Sequence, residues 1–200
     1  MLQSFHTKDK IEVGIDEVGR GCFAGPVVVA AVILPTNFQS DLIRDSKKLT
    51  ERQREKAFDV IIDNAIAYSI QAGSVKQVNL YGIEKATYIA IEKALNDIYK
   101  TNKFDHIIMD GNRFDNPMPD IPYTTIVGGD DKYLSIAAAS ILAKVKRYNY
   151  MKMLHEHYPN YNFIGNKGYY CKKHGDGLLE FGKSPYHRDK YVETWMKNKK

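Results

Sequence analysis

Four acidic side chains lie at or near the ends of apolar stretches, where exposed loops could hold a reactive site. Asp16 and Glu17 follow "VGI", Asp110 follows "HIIM", and Asp130 follows "TTIVGG". In α/β sheets such positions combine exposure with a geometry that the sheet fixes. A single aspartate there is more often a turn former, but four carboxylates brought together would repel one another and be costly to desolvate. Divalent cations would remove that cost.

The type of ligand indicates which metal these carboxylates would hold. They are hard oxygen donors, and no cysteine or histidine pattern accompanies them, which favours Mg²⁺ or Mn²⁺ over zinc. Two such ions about 4 Å apart can activate a water and stabilise a leaving oxygen. In a chain with an excess of basic residues, this chemistry suits hydrolysis of a phosphodiester.

The adjacency of Asp16 and Glu17 raises a geometric difficulty. Neighbouring side chains on a regular strand point to opposite faces of the sheet. The two can share a metal site only if the strand bulges or ends there. Gly19 and Gly21 predict such an early end.

Charge is distributed unevenly along the chain. The net charge of the 200 residues is +5, yet residues 141–200 hold 13 Lys or Arg against 5 Asp or Glu. Basic charge gathered in one segment indicates a polyanionic partner, although a solvated helical surface would look the same. The two cysteines suggest no disulfide framework and favour a reducing compartment. No signal peptide or membrane span is visible, so we expect a cytoplasmic protein.

The elements that must position the carboxylates alternate between strand and helix. Strands are predicted at "EVGIDEVG", "PVVVAAVIL", "AIAYSIQAG", "FDHIIMDGN" and "PYTTIVGGD", the last reaching Asp130. Helices are predicted from Thr50, over "NLYGIEKATYIAIEKALNDIYK", and over "DKYLSIAAASILAKVKRYNYMKMLHEHY". This order predicts a layered α/β domain over residues 1–158. Residues 159–200 should form a C-terminal helical extension packed on the same domain.

Several motifs occur together in one order along nearly the whole chain. They are "GIDEVGRG" followed by "GP", "DSKKL" (45–49), "MDGN" (109–112), "GGD" before "AASILAKV" (138–145), and "NKGY" (166–169). Together they resemble ribonuclease HII, the bacterial type 2 ribonuclease H family. The resemblance implies a ribonuclease H-like fold, with a mixed five-stranded sheet flanked by helices and a small C-terminal helical part.

The resemblance also implies roles for individual residues. Asp16, Glu17, Asp110 and Asp130 would be the catalytic, metal-binding carboxylates. Asp131 would only add negative charge at the start of a helix. Gly19, Arg20 and Gly21 would recognise the ribonucleotide together with Tyr169, which could bond the 2′-OH. Lys47, Lys144 and Lys167 would contact phosphates, and Lys48 is as readily a solvated lysine. His187 and Arg188 would hold the C-terminal tail or touch nucleic acid.

The chain departs from the family at the recognition turn. The family often has His where Asn166 stands, and Pro-Thr where Tyr170 and Cys171 stand. We expect these departures to affect recognition of the ribonucleotide junction more than the chemistry.

The expected activity is that of a metal-dependent endoribonuclease, acting as a monomer. It would cut the RNA strand of RNA–DNA hybrids and nick DNA 5′ of an embedded ribonucleotide, leaving 3′-OH and 5′-phosphate ends. The alternatives are a ribonuclease HIII-like hybrid nuclease, a junction-resolving nuclease that needs no 2′-OH, and a non-catalytic hybrid-binding module. The last should lack one of the four carboxylates, and all four are present.

Overall fold

A five-stranded mixed sheet organises the protein, as seen in a computed structural model that describes residues 2–199. The strands are β1 (Glu12–Val18), β2 (Val27–Ile33), β3 (Ala67–Gly73), β4 (His106–Asp110) and β5 (Tyr123–Ile126), in the order β3-β2-β1-β4-β5. The first three form antiparallel pairs, while β4 runs parallel to both β1 and β5. The predicted mixed five-stranded sheet is confirmed.

Seven α-helices within the described residues surround this sheet. They are α1 (Glu51–Asn64), α2 (Val75–Tyr81), α3 (Ile83–Thr101), α4 (Leu134–His157), α5 (Phe163–Asn166), α6 (Lys172–Phe181) and α7 (Asp189–Lys197). Thr50 caps α1 as predicted, its side chain accepting from Gln53 N–H while the Gln53 side chain accepts from Thr50 N–H. Within residues 2–199, no helix is long and apolar enough to cross a membrane.

Each face of the sheet is covered by its own helical layer. Alternate residues of β1 and β2 pack against α4 and α1 on one face, among them Val18 and Ala30. The intervening residues, among them Ile15 and Val29, pack against α3 on the other face. The alanines Ala137–Ala139 are fully buried, which lets α4 lie close to the sheet.

Two predicted element boundaries were wrong, both for reasons of backbone geometry. The helix expected from Asn79 onward is two helices, because Gly82 has φ +83° and interrupts the chain between α2 and α3. The strand expected to reach Asp130 ends at Ile126. Gly128, with φ +67°, then turns the chain into a short 3-10 helix, Gly129–Asp131.

The C-terminal residues pack on the far end of α4. Leu178 of α6 and Val192 of α7 share a buried cluster with Leu154 of α4 and with Ala24 of the β1–β2 connection. The segment after Pro159 therefore contacts the connection that follows Asp16 and Glu17. The division at residue 158 stays a prediction.

Candidate active site

Asp16 and Glu17 lie on a regular part of β1, and the predicted bulge or early end was wrong. Both residues pair in register with β2, Asp16 opposite Ala30 and Glu17 opposite Val29, and the strand continues to Val18. Their side chains therefore leave opposite faces of the sheet. The backbone N–H of Glu17 donates to Asp16 Oδ1 at 2.8 Å.

Asp110 reaches the same edge of the sheet through the parallel pairing of β4 with β1. Ile15 pairs with Met109, so the next residues along the two strands are Asp16 and Asp110. Asp110 Oδ1 accepts the backbone N–H of Gly129 at 2.7 Å. This bond ties the end of β4 to the turn that carries Asp130, whose side chain is buried.

The carboxyl group of Asp16 is buried close to other carboxylates, which makes its ionised form unfavourable. Burial raises the pKa of Asp16 to about 7, against the lowering effect of a hydrogen bond from Ser140. The charges of Glu17 and Asp110 raise it further, and the ammonium of Lys144 lowers it. Repulsion among these three carboxylates is thus part of the site.

The carboxylate of Glu17 is also unfavourably buried, and one of its two oxygens lacks a hydrogen bond among residues 2–199. Burial raises the pKa of Glu17, which is opposed by the nearby Arg20 guanidinium, 3.8 Å from Oε1. Its other oxygen, Oε2, is buried and has no hydrogen-bond partner among residues 2–199. A buried carboxylate oxygen without a donor is costly, so a ligand at that atom would relieve it.

The arrangement fits divalent cations that arrive together with a substrate. Among residues 2–199, no three Asp, Glu, His or Cys side chains are grouped so that they could hold a metal ion between them. Mg²⁺ does not require such a cage, since it commonly takes one or two carboxylates, waters and substrate phosphate oxygens. The unpartnered oxygen of Glu17 and the mutual repulsion of the carboxylates suit that mode. The four-carboxylate metal site stays a prediction.

Of the three lysines predicted to contact phosphate, Lys47 bonds a carboxylate of the site and Lys144 lies near enough to Asp16 for their charges to interact. Lys47 Nζ donates to Asp130 Oδ2 at 3.0 Å while most of its side chain is exposed. Lys144 is half-buried on α4 and donates to Ser140 Oγ at 2.9 Å and to Ser46 Oγ. Burial lowers the pKa of Lys144, and the charge of Asp16 opposes that effect.

Lys48 and Lys167 are engaged with other side chains. Lys48 Nζ donates to both oxygens of the exposed Asp131, which itself lies at a helical turn. Lys167 is mostly buried, with Nζ 5.4 Å from the centre of the Tyr148 ring and 3.8 Å from Glu51 Oε2. A role for Lys167 in binding phosphate stays a prediction.

The residues expected to recognise ribose belong to two loops that are hydrogen-bonded to each other. We call residues 19–26 the glycine loop and residues 166–169 the tyrosine turn. Phe23 N–H and Ala24 N–H both donate to the carbonyl oxygen of Gly168, at 2.8 and 3.2 Å. A Cβ on Gly168 would lie 2.4 Å from Ala24 O, and its φ is +84°, so only glycine fits. The sequence pattern "GRG" and the pattern "KGY" are thus brought together.

Tyr169 extends from this junction with 41% of its surface exposed. Its ring lies 5.9 Å from the guanidinium carbon of Arg147. Burial of the hydroxyl raises the pKa of Tyr169 to about 12, and Cys22 adds to the rise. The hydroxyl therefore stays protonated and able to donate at neutral pH.

Asn166, at a position where the family often has histidine, stabilises the tyrosine turn through two side-chain hydrogen bonds. Its side chain donates to Tyr161 O at 2.7 Å and accepts the backbone N–H of Gly168 at 2.7 Å. The tyrosine turn is therefore held from within by an amide. Trp195 packs beside this turn, with its ring 5.5 Å from that of Tyr170 and 6.2 Å from that of Phe23.

Two fully buried arginines hold the glycine loop, and sequence reasoning missed the first of them. Arg147 on α4 donates to the carbonyl oxygens of Ala24, Pro26 and Lys167, at 3.0, 2.9 and 2.6 Å. It thereby bonds both loops at once. A signal existed, since Arg147 stands four residues from Ala143 and from Met151 on a helix, in line with an apolar stripe.

Arg188 holds the opposite end of the same loop. It donates twice to Gly25 O, at 3.0 and 2.8 Å, and once to Arg20 O at 2.8 Å. Tyr191 Oη also donates to Arg20 O, at 2.8 Å. Because Arg188 is fully buried, its side chain is out of reach of nucleic acid in this arrangement, and it holds the glycine loop instead. Arg20 itself remains exposed.

Comparison with known proteins agrees with this architecture. The model of the family described as Ribonuclease HII matches residues 13–196. The chain belongs to the ribonuclease HII family. It is 48% identical to the ribonuclease HII of Bacteroides thetaiotaomicron, over 94% of this chain and 92% of that protein. It is 44% identical to that of Christiangramia forsetii, over 96% and 94% of the two chains.

Solved structures show the same fold. The ribonuclease H2 of Pyrococcus horikoshii superposes with a TM-score of 0.73 at 25% identity, covering 94% of this chain and 99% of that one. The RNase H3 of Aquifex aeolicus gives 0.72 at 17% identity, covering 92% and 73%. The ribonuclease H-like fold is confirmed, and membership of the family makes the protein an endoribonuclease of the ribonuclease H type.

Proposed function

We propose that the protein is a metal-dependent endoribonuclease that cuts the RNA strand of RNA–DNA hybrids and nicks duplex DNA 5′ of single embedded ribonucleotides. One observation carries the proposal: β1, which bears Asp16 and Glu17, leads directly into a loop hydrogen-bonded to the turn that bears Tyr169. The carboxylates that would carry out the chemistry are thereby close to the tyrosine that would recognise the ribose. The products would carry 3′-OH and 5′-phosphate ends.

In this proposal, Asp16, Glu17, Asp110 and Asp130 hold Mg²⁺ or Mn²⁺. Bound cations would supply an activated water and stabilise the leaving 3′-oxygen. A complex with Mn²⁺ has been solved for the RNase HIII named Bst-RNase HIII, whose fold matches this chain with a TM-score of 0.64 at 17% identity. That match supports the fold alone, and the metal is proposed from the carboxylates.

The surrounding residues would orient the substrate. The ammonium groups of Lys47 and Lys144 stand beside the carboxylates, where they can attract a phosphate and lessen the repulsion between it and Asp16. The 2′-OH, which both donates and accepts, would be recognised by the glycine loop and the hydroxyl of Tyr169. The basic residues after position 140 would contact the duplex backbone, so binding should weaken with salt.

The decisive experiment uses a DNA duplex that contains one ribonucleotide, incubated with and without Mg²⁺ or Mn²⁺. A nick 5′ of the ribonucleotide that depends on the metal supports the proposal. Cleavage of a matched all-DNA duplex or junction would instead favour a junction-resolving nuclease. The same protein run by analytical ultracentrifugation should sediment as a monomer, and we expect it to act in the cytoplasm.

Two variants test the assigned residues. Asp110→Asn should lower turnover by roughly 10³-fold or more, because several kcal/mol of charge stabilisation is lost, while the protein stays folded and binds duplex. Asp131→Asn, in the same turn as Asp130, is the matched control and should cut normally. Tyr169→Ala should impair cleavage at a single ribonucleotide much more than cleavage of an RNA–DNA hybrid.

A further inference from the structure

A buried pair of histidines lies behind the tyrosine turn. His174 is on α6 and His187 precedes α7, and both rings are inaccessible to solvent or nearly so. Their Nε2 atoms are 3.0 Å apart. Two buried rings with their nitrogens in contact need a defined arrangement of hydrogens, since one must donate and the other accept.

The surrounding bonds determine that arrangement completely. The backbone N–H of Ser184 donates to His187 Nδ1 at 2.9 Å, so this nitrogen carries no hydrogen. Neutral His187 then carries its hydrogen on Nε2 and donates it to His174 Nε2. His174 in turn carries its hydrogen on Nδ1, which lies 2.8 Å from the carbonyl oxygen of Tyr169. The chain of bonds thus runs from Ser184 to the backbone of Tyr169.

The environment favours the neutral form of both rings. Burial lowers the pKa of His174, and burial together with His174 and Lys183 lowers the pKa of His187 to about 4. The rings of Tyr161 and Phe163 pack around the pair, Tyr161 at 4.7 Å from His187 and Phe163 at 5.4 Å from His174. Among residues 2–199, no Asp or Glu forms an ion pair with either histidine.

Hydrogen bonds hold the backbone at Tyr169 and at the residue before it. Its N–H donates to Asn166 O at 2.9 Å, and its carbonyl is the atom that His174 holds. On the preceding residue, the carbonyl of Gly168 is bonded to the glycine loop. The residue as a whole is 41% exposed, and its ring lies 5.9 Å from the guanidinium carbon of Arg147.

We propose that His174 and His187 are positioning residues, which set the direction of the Tyr169 side chain toward the ribose and so tune cleavage at single ribonucleotides. This inference rests on the proposed function, in which Tyr169 bonds the 2′-OH. A proton added to His174 would set two N–H groups against each other at the 3.0 Å contact, and one added to Nδ1 of His187 would oppose the N–H of Ser184 at 2.9 Å. Either proton would break the chain of bonds.

A double-mutant cycle tests the inference, with kcat/KM measured on a duplex containing one ribonucleotide. His174→Phe fills the site without hydrogen bonds and should lower kcat/KM about tenfold, whereas His174→Asn keeps a donor near the position of Nδ1 and should lose less. In the Tyr169→Ala background, His174→Phe should cost less than about twofold, since its effect acts through Tyr169. His157→Phe, at the exposed end of α4, is the matched control and should change nothing.

The outcomes separate the inference from the proposed function. An equal tenfold loss in both backgrounds would mean a merely structural role, and an unchanged rate in His174→Phe would show that the pair positions nothing that matters. Either result overturns the inference while leaving the nuclease proposal intact. If Tyr169→Ala itself cuts single ribonucleotides normally, the recognition role fails and the inference fails with it.

A measurement on the unaltered protein remains decisive if His174→Phe does not fold. In ¹⁵N spectra of histidine-labelled protein at neutral pH, His187 should carry its hydrogen on Nε2 and His174 on Nδ1. Loss of this pattern on acidification should coincide with loss of single-ribonucleotide cleavage relative to hybrid cleavage. The opposite tautomers, or a charged ring at neutral pH, would overturn the inference.

Discussion

We call the end of the sheet with Asp16, Glu17 and Asp110, and the adjoining turn with Asp130, the carboxylate edge, and the contact between the glycine loop and the tyrosine turn the loop junction. The two regions meet where β1 ends, yet they are built in opposite ways. At the carboxylate edge, Asp16 is buried among like charges and Glu17 Oε2 has no hydrogen-bond partner among residues 2–199. At the junction, carbonyl oxygens of the glycine loop accept hydrogen bonds from the buried Arg147 and Arg188, and the loop's N–H groups at Phe23 and Ala24 donate to the tyrosine turn. The carboxylate edge is thus destabilised by its buried charges, whereas the loop junction is stabilised by its hydrogen bonds.

The difference follows from what each region would have to do. Groups that acquire metal ions and a phosphate must be left incompletely satisfied, or the ligands would gain nothing by binding. A surface that distinguishes ribose from deoxyribose must already have its shape before the sugar arrives. The contrast leads to predictions in which the same kind of substitution, loss of a charge, has opposite effects on stability in the two regions.

The largest effect is expected from Arg147→Met. The substitution keeps much of the side-chain volume but leaves the carbonyls of Ala24, Pro26 and Lys167 without their donor. Each buried acceptor left unpaired costs roughly 1–3 kcal/mol, so the free energy of unfolding should fall by about 4 kcal/mol. Urea unfolding measures this loss.

The matched control is Arg52→Met, because Arg52 is an arginine exposed on α1, away from the glycine loop. Its effect on unfolding should stay within about 0.5 kcal/mol. If the two variants were equally stable, the glycine loop would not depend on Arg147, and the proposed contrast between the regions would be wrong.

A second effect should appear when the protein is acidified. The pKa of His187 in the folded protein is about 4, below the ordinary value of 6.5, so the unfolded chain binds more protons between these values. Stability contributed by neutral His187 is complete above pH 6.5 and is lost as the pH falls toward 4. The loss should approach about 3 kcal/mol.

Urea midpoints measured from pH 7.5 to pH 4.5 check this prediction. The raised pKa of Asp16 adds stability as the pH falls over the same range, so the test is the difference between the variant and the unaltered protein. His187→Asn keeps an acceptor for Ser184 but cannot titrate, so its stability should fall less on acidification than that of the unaltered protein, by up to about 3 kcal/mol. His157→Asn should follow the unaltered protein at every pH. A His187→Asn profile parallel to that of the unaltered protein would show that His187 contributes nothing to the acid sensitivity.

A smaller effect of opposite sign is expected from Asp16→Asn. Removing this charge ends its repulsion with Glu17 and Asp110 and makes its burial less costly, so the protein without metal should be stabilised by about 2 kcal/mol. Calorimetry should show a raised Tm, together with a smaller gain from added Mg²⁺ than in the unaltered protein. Asp131→Asn, an exposed change beside the site, should leave both quantities as they are.

Much of this arrangement could be predicted because the apolar runs in the sequence are the strands of the folded sheet. The apolar runs around Asp16 and Asp110 predicted their strands, and the parallel pairing of β1 with β4 brings these two aspartates to one edge. The turn at Asp130 was harder to predict, since a positive φ at Gly128 leaves little trace in hydrophobic patterning. The same holds for Gly82, which divides one predicted helix into two.

The buried arginines show a different limit of sequence reasoning. A charged residue is normally assigned to the surface, and Arg147 is buried only because three carbonyls of distant segments converge on it. That convergence is a product of tertiary structure. The expected bulge at Asp16 was wrong because Asp16 and Glu17 pair in unbroken register with Ala30 and Val29 of β2, which the glycines after them did not reveal.

The smallest effect concerns Lys47 and Lys48, which are neighbours in sequence but differ in their contacts. Lys47 reaches the buried Asp130 at the carboxylate edge, whereas Lys48 is paired with the exposed Asp131. If Lys47 contacts a phosphate, Lys47→Met should weaken duplex binding by roughly 1 kcal/mol and reduce the slope of log K against log salt by about one. Lys48→Met should change the slope by less than half of that, because an exposed pair contributes little. Both are measured by fluorescence anisotropy in the Asp110→Asn background, where the substrate stays intact, and equal slopes for the two variants would remove Lys47 from the phosphate-binding set.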